Sequence, residues 1–327
     1  MKLTLLNAHD VRHLLPMEQC IELMRKAMIL VAQDRTIQPV RSSLWHPSRR
    51  GLLSMMPGYT ADPHWLGIKV VSVFPGNCGT ERGAHQGMVL LFEPEFGSVV
   101  AILDGREVTA IRTAASTAVA TDVLARSSAS TLAILGSGEQ AHAHLKSLLL
   151  VRAFQRIFVW SRDFTKAQRF CQWAETQTDA RVKCVLTTRE AVDEADVICT
   201  TTAAAEPIIE GKWLHTGQHL SVVGSSIPTT AEIDVEAVVR CRLFVDFKHS
   251  ALELAGEFRR ARDAGVVGEE HILGSIGDVL TGKVAGRTTD QDITLFKSLG
   301  MVCEDLVATD FVFRESQRLG IGSIIDW

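Results

Sequence analysis

A short apolar run, Leu132-Ala133-Ile134-Leu135, leads directly into Gly136-Ser137-Gly138-Glu139-Gln140-Ala141 and then into a helix-forming stretch from Ala141 to Leu150. Strand, G-x-G-x-x-A turn and helix in this order restrict the chain to few folds, because each small residue answers a separate steric demand. Gly136 permits the tight turn, Gly138 lets backbone N–H groups approach a pyrophosphate, and Ala141 lets the helix pack close to the strand. The helix then presents its positive dipole end to the phosphates. Gly136, Gly138, Glu139 and Gln140 are therefore the candidate phosphate-facing positions of a dinucleotide site.

From about Thr131 the sequence alternates strand and helix, with strand-like runs at 132–135, 156–160, 182–186, 197–201, 220–223 and 243–246. That rhythm predicts an open, doubly wound parallel α/β sheet of Rossmann type. The first third differs. Leu14 to Gln33 carries apolar residues at helical spacing, and 67–74, 87–92 and 98–104 are short β-rich runs between turns. The segment 292–319 is again amphipathic and long enough to return the chain to its beginning. The expectation is a discontinuous α+β domain for substrate binding and dimerisation, residues 1–118 with 293–327, around a dinucleotide-binding domain at 119–292.

The second strand of the sheet ends in Trp160-Ser161-Arg162-Asp163. A carboxylate at this place accepts from ribose hydroxyls in NAD-specific folds. Ser161 and Arg162 instead offer donors suited to a 2′-phosphate, which favours NADPH; Asp163 as the ribose acceptor, with NADH, is the alternative. Thr201, Thr202 and Ala203 end the strand that begins at Val197, where open sheets of this type place ligand contacts.

Three cations stand among apolar or small neighbours, where a charge is costly unless paired: Arg41, Lys69 and Arg112. Such placement suits capture of a substrate carboxylate, and equally suits a solvated or ion-paired cation. An Arg fork holds both oxygens, and a Lys adds a point charge that donates a proton if its pKa is lowered.

The balance of 34 basic against 38 acidic residues, net −4, leaves no electrostatic footprint for nucleic acid or an anionic membrane. No stretch reaches the ~18 apolar residues of a membrane span, and no basic-then-apolar leader opens the chain. Seven cysteines without C-x-x-C spacing suit reduced, buried thiols in a cytoplasmic setting and supply no metal-ligand pattern. The expected partner is a small molecule.

Arg41, Met56-Pro57-Gly58-Tyr59, Gly67-Ile68-Lys69, His85-Gln86-Gly87, Leu103-Asp104-Gly105, Thr109 to Ala115, the glycine turn, Val223-Gly224-Ser225-Ser226-Ile227-Pro228 and Phe296-Lys297-Ser298-Leu299-Gly300 occur in this order over nearly the whole chain. Together they resemble the ornithine cyclodeaminase/mu-crystallin family, and Trp160-Ser161-Arg162 and the run through Met301 look nearest to its ketimine-reducing mu-crystallin branch. The resemblance implies a homodimer built through the discontinuous domain and an active site between the two domains. It implies that Arg41, Lys69 and Arg112 hold the substrate carboxylate and that His85 lies near the cofactor, which Arg112 also adjoins. Thr202, Ala203 and Val223 would line the dinucleotide, with Ser298 near the nicotinamide.

One position departs from the cyclodeaminases, which carry an Asp two residues before the proline of the Val-Gly-x-x-x-Pro loop. Here Ser226 stands there. Its hydroxyl hydrogen-bonds an imine nitrogen or a water but is no carboxylate base at neutral pH. The expected reaction is thus NADPH-dependent reduction of Δ1-pyrroline-2-carboxylate or Δ1-piperideine-2-carboxylate to proline or pipecolate, with Lys69 and Ser226 as candidate catalytic groups. Ornithine cyclodeamination, alanine-type dehydrogenation and a non-catalytic crystallin-like binding role are the alternatives.

Overall fold

The computed structural model describes residues 2–77 and 80–326. The chain divides into two compact units, residues 1–112 with 301–327 and residues 113–300. The boundaries expected at 118 and 292 thus compare with breaks after Arg112 and Gly300.

The first unit opens with β1 (Lys2–Leu6), α1 (Ala8–Leu14) and α2 (Met17–Ala32). Asn7 starts α1 by accepting from the His9 and Asp10 amides, while Asp10 accepts from the Asn7 amide, a reciprocal cap. The strands β2 (Thr36–Ile37), β3 (Ser42–Trp45), β4 (Leu52–Ala61), β5 (His64–Val73), β6 (His85–Phe92) and β7 (Val99–Asp104) follow. β4 to β7 form an antiparallel meander, with β1 parallel to β7. Alternation along β4 buries Leu52, Ser54 and Met56 and turns Leu53 outward. α3 (Gly105–Leu124) leaves β7 and runs across the division at Arg112.

The second unit is built on β8 (Thr131–Leu135), α4 (Glu139–Val151), β9 (Arg156–Trp160), α5 (Phe164–Ala174), β10 (Arg181–Cys184), α6 (Thr188–Glu194), β11 (Val197–Thr200) and β12 (His219–Val222). Then come α7 (Val235–Arg240), β13 (Arg242–Val245), α8 (Lys248–Leu254), α9 (Gly256–Asp263), β14 (Ile272–Ser275), α10 (Ile276–Leu280) and β15 (Thr294–Lys297). All eight strands are parallel, in the order β10-β9-β8-β11-β12-β15-β13-β14. Every residue of β8 is buried, because Leu132 and Ile134 enter the core on one face and Ala133 and Leu135 the core on the other. The order reverses between β8 and β11, the place where open α/β sheets take ligands. β15 departs from the sequence expectation, which read residues 292–319 as one amphipathic run. A second departure lies at Cys171 and Cys184, expected as free thiols: α5 packs on β10, and the two sulfurs form a disulfide. Cys20, Cys199, Cys241 and Cys303 are buried free thiols, and Cys78 lies outside the described residues.

After Gly300 the chain re-enters the first unit as α11 (Val302–Leu319) and β16 (Ser323–Asp326), which pairs with β1. Gly58 and Gly67 face each other on β4 and β5, and a Cβ on either would stand 2.3 Å from Val302 or Leu306. The absence of side chains there lets α11 lie directly on the sheet. Gly320 ends α11 in the left-handed conformation. Among the described residues no helix is long and apolar enough to cross a membrane.

Candidate active site

In the second unit, Gly136 closes β8 with φ +130°, and a Cβ there would stand 2.5 Å from the Thr201 hydroxyl oxygen. Only glycine fits this turn. Gly138 is the N-cap of α4 and brings no side-chain cap to its first turn, Glu139 and Gln140. Such a cradle of bare backbone and helix dipole suits a pyrophosphate. Ser137 donates to the Ser161 hydroxyl at 2.9 Å, tying the turn to the end of β9. Arg162 follows and is exposed, whereas Asp163 caps α5, its Oδ1 accepting from the Lys166 amide at 3.2 Å. The carboxylate considered for the ribose is therefore engaged by its own helix.

The candidate cofactor residues Thr202, Ala203, Val223 and Ser298 lie just past the carboxyl ends of β11, β12 and β15, and the half-buried Ser226 lies on the loop after β12. Three buried carboxylates, none anticipated from the sequence, hold these loops. Glu232 accepts from the Thr202 amide and hydroxyl, the Gly224 amide and the Thr200 hydroxyl, all at 2.6–2.7 Å. Burial raises its pKa, opposed by Lys297 and by these hydrogen bonds. Glu257 pairs with Lys297 at 3.2 Å and accepts from the Ser225 hydroxyl, and Lys297 also donates to the Ser225 carbonyl at 2.5 Å. Asp246 accepts from the Leu299 and Gly300 amides at 2.6 and 2.5 Å. Loops at the ends of β11, β12 and β15 are thus fixed from beneath by charge-assisted bonds.

In the first unit, β5 and α3 bring Lys69 and Arg112 onto one carboxylate. The Lys69 ammonium and the Arg112 Nε each lie 3.0 Å from Asp305 Oδ1, and Arg112 Nη1 lies 2.8 Å from Glu304 Oε2. All four side chains are at least nine-tenths buried. Two cations and two anions balance, so the internal ion-pair reading of Lys69 and Arg112 is realised. Burial, then repulsion from Arg112, lowers the Lys69 pKa to about 8, with Asp305 opposing and Arg41 adding to the fall. Arg41, half-buried ahead of β3, thus reaches the same group electrostatically. His85 stands exposed at the start of β6. The signal for the missed anions was present: Glu304-Asp305 interrupts Val302-Cys303 and Leu306-Val307, as anomalous for acids as Lys69's surroundings are for a cation.

Residues 1–318 match the ornithine cyclodeaminase/mu-crystallin family. The chain is 32% identical over 323 residues to a Delta(1)-pyrroline-2-carboxylate reductase of Bacillus cereus, covering 98% of this chain and 99% of that one. It is 37% identical over 277 residues to the ketimine reductase mu-crystallin of Mus musculus, covering 85% and 84%. Its fold is similar to that of a Thermococcus litoralis Delta(1)-pyrroline-2-carboxylate reductase solved with NADH and L-proline, with TM-score 0.95, 30% identity and coverage of 98% and 99%.

Proposed function

The chain belongs to the ornithine cyclodeaminase/mu-crystallin family, and from that premise we propose that it is an NADPH-dependent reductase of cyclic 2-imino acids, Δ1-pyrroline-2-carboxylate or Δ1-piperideine-2-carboxylate. It is an NAD(P)H-dependent imine reductase, in keeping with its likeness to the Bacillus and Thermococcus reductases. The observation that carries the finer reading is the buried Lys69–Arg112 pair with Arg41 beside it.

Gly136, Gly138 and the first turn of α4 hold the pyrophosphate, and Ser161 and Arg162 the 2′-phosphate, the latter as a charge-assisted fork. A nicotinamide dinucleotide held there would supply the hydride chemistry that imine reduction requires. Thr202, Ala203, Val223 and Ser298 would orient the nicotinamide end. Arg112, Lys69 and Arg41 receive the substrate carboxylate. Asp305 and Glu304 bond Lys69 and Arg112, and Arg41 adds a third cation to the group that receives the anion. The imine nitrogen must be protonated before C2 accepts hydride, and Lys69, with an ammonium lowered to about 8, is matched to that donation. Ser226, on the loop after β12, offers a hydroxyl able to hydrogen-bond an imine nitrogen or a water.

The outer face of the first unit's sheet places Met55, Val70 and Met88 in one cross-strand row and Pro57, Ile68 and Leu90 in the next. A second copy of the chain covers this apolar face, giving a homodimer.

Initial rates with five- and six-membered imino acids, their decarboxylated analogues and ornithine, each with NADPH and NADH, test the reading. Reduction of the imino acids alone, faster with NADPH, is expected. Equal turnover of the decarboxylated analogue removes the carboxylate clamp, and ornithine conversion without net NADPH oxidation returns the cyclodeaminase reaction.

A further inference from the structure

We propose that Asp305 is a positioning residue, the shared anion that holds Lys69 and Arg112 together and keeps Lys69 in its ammonium form. The inference rests on the reading above that Lys69 donates the proton to the imine.

Both cations bond the same oxygen, Oδ1, at 3.0 Å, which keeps them within two hydrogen-bond lengths of each other despite their repulsion. Asp305 is fully buried, and its Oδ2 has no hydrogen-bond partner. Its side-chain hydrogen bonding is thus spent on these two cations, unlike that of a carboxylate that caps a helix or braces a loop. Glu304, next in sequence, takes Arg112 Nη1 and the Met301 amide, and so does not replace Asp305 at Lys69. Asp305 stands in the first turn of α11, where the helix dipole favours an anion.

The charged groups around Lys69 come from every element packed there. α3 contributes Arg112, the segment before β3 contributes Arg41, and α11 contributes Asp305 and Glu304. Cys20 of α2 interacts with Arg112, Glu304 and Asp305, and burial pushes its thiol far up and leaves it neutral. Burial and both arginines drive Lys69 toward the neutral amine, and Asp305 is the anion that opposes them. With Asp305 present the ammonium persists to about pH 8. Without it, Lys69 loses its proton well below that, where it neither attracts a carboxylate nor donates to an imine.

The test compares the full-length wild type with Asp305→Asn and Asp305→Glu. One readout is the pH dependence of kcat/KM for Δ1-pyrroline-2-carboxylate with NADPH. The other is the titration of Lys69 in ε-13C-lysine-labelled protein, its signal assigned by its loss in Lys69→Arg. In Asp305→Asn, the alkaline limb of the rate profile and the Lys69 inflection both move down by about one pH unit or more. Asp305→Glu returns both toward the wild-type positions. Loss of activity at every pH with an unmoved inflection overturns the proposal and leaves Asp305 a packing residue. If the inflection moves while even the wild type reduces no imino acid, the role of Asp305 stands and the reductase reading fails. Should Asp305→Asn not fold, Arg112→Gln serves instead: removing the repelling cation leaves Asp305 to Lys69 alone and raises the inflection, and an unchanged or lowered inflection overturns the proposal.

Discussion

Lys69 donates to Asp305 at 3.0 Å across 236 residues of sequence. The bond places a cation from the sheet and an anion from the returning helix together in buried surroundings, where neither charge is stable alone. The properties of the cluster follow from that mutual dependence.

Arg112→Ala removes one cation from between Asp305 and Glu304 and leaves two buried carboxylates facing a single ammonium. Breaking a buried pair from one side costs about 3 to 5 kcal/mol. Urea unfolding of the variant against wild type should show a loss of that order with an unchanged m-value. A loss under about 1 kcal/mol would mean that water enters and solvates the carboxylates.

A lysine whose pKa has fallen from 10.5 to about 8 carries its charge below pH 8 and loses it above. If Lys69 binds the acid group and protonates the imine, kcat/KM for the imino acid falls tenfold per pH unit on the alkaline side of about 8. A flat profile to pH 10 would assign the proton to another donor. Lys69→Gln, unable to donate a charge-assisted proton, should have lost the limb along with most of the rate.

Gly136→Ala puts a methyl 2.5 Å from the Thr201 hydroxyl oxygen at a φ that side chains rarely adopt. The turn must open, and with it the phosphate cradle. Fluorescence titration with NADPH should give a Kd at least tenfold weaker, on the order of 1.4 kcal/mol. Retained affinity would place the pyrophosphate elsewhere.

Arg162→Ala removes the fork proposed for the 2′-phosphate while Asp163 stays engaged in capping α5. The KM for NADPH should rise about tenfold and that for NADH change little, since a charge-assisted pair contributes about 1.5 to 3 kcal/mol. Parallel changes for both cofactors would remove Arg162 from the discrimination.

Local features were legible in the sequence and distant ones were not. The glycine turn is complete within eleven residues, and each of its steric demands can be read from residue size. Lys69 and Arg112 were visible as charges in apolar runs, but whether a ligand or the protein itself answered them depended on Glu304 and Asp305, almost two hundred residues away or more. β15 was absorbed into an amphipathic run because Thr294-Leu295-Phe296-Lys297 is buried on both faces and shows no alternation. The loop-bracing carboxylates Glu232, Asp246 and Glu257 stand one to a segment among ordinary loop and helix residues, so only the fold reveals what they hold. The pairing of Cys171 with Cys184 needed α5 laid on β10 before the two could be associated.

The return of the chain to its first unit has a consequence for synthesis. As the polypeptide leaves the ribosome, Lys69 and Arg112 emerge early, and their counter-ions Glu304 and Asp305 only after the whole of residues 113–300 has been made. The early segment therefore lacks the anions that make its interior tolerable, while the intervening segment is contiguous and free to fold as soon as it emerges. Lys69 and Arg112 are thus among the last of the first unit's buried charges to meet their partners.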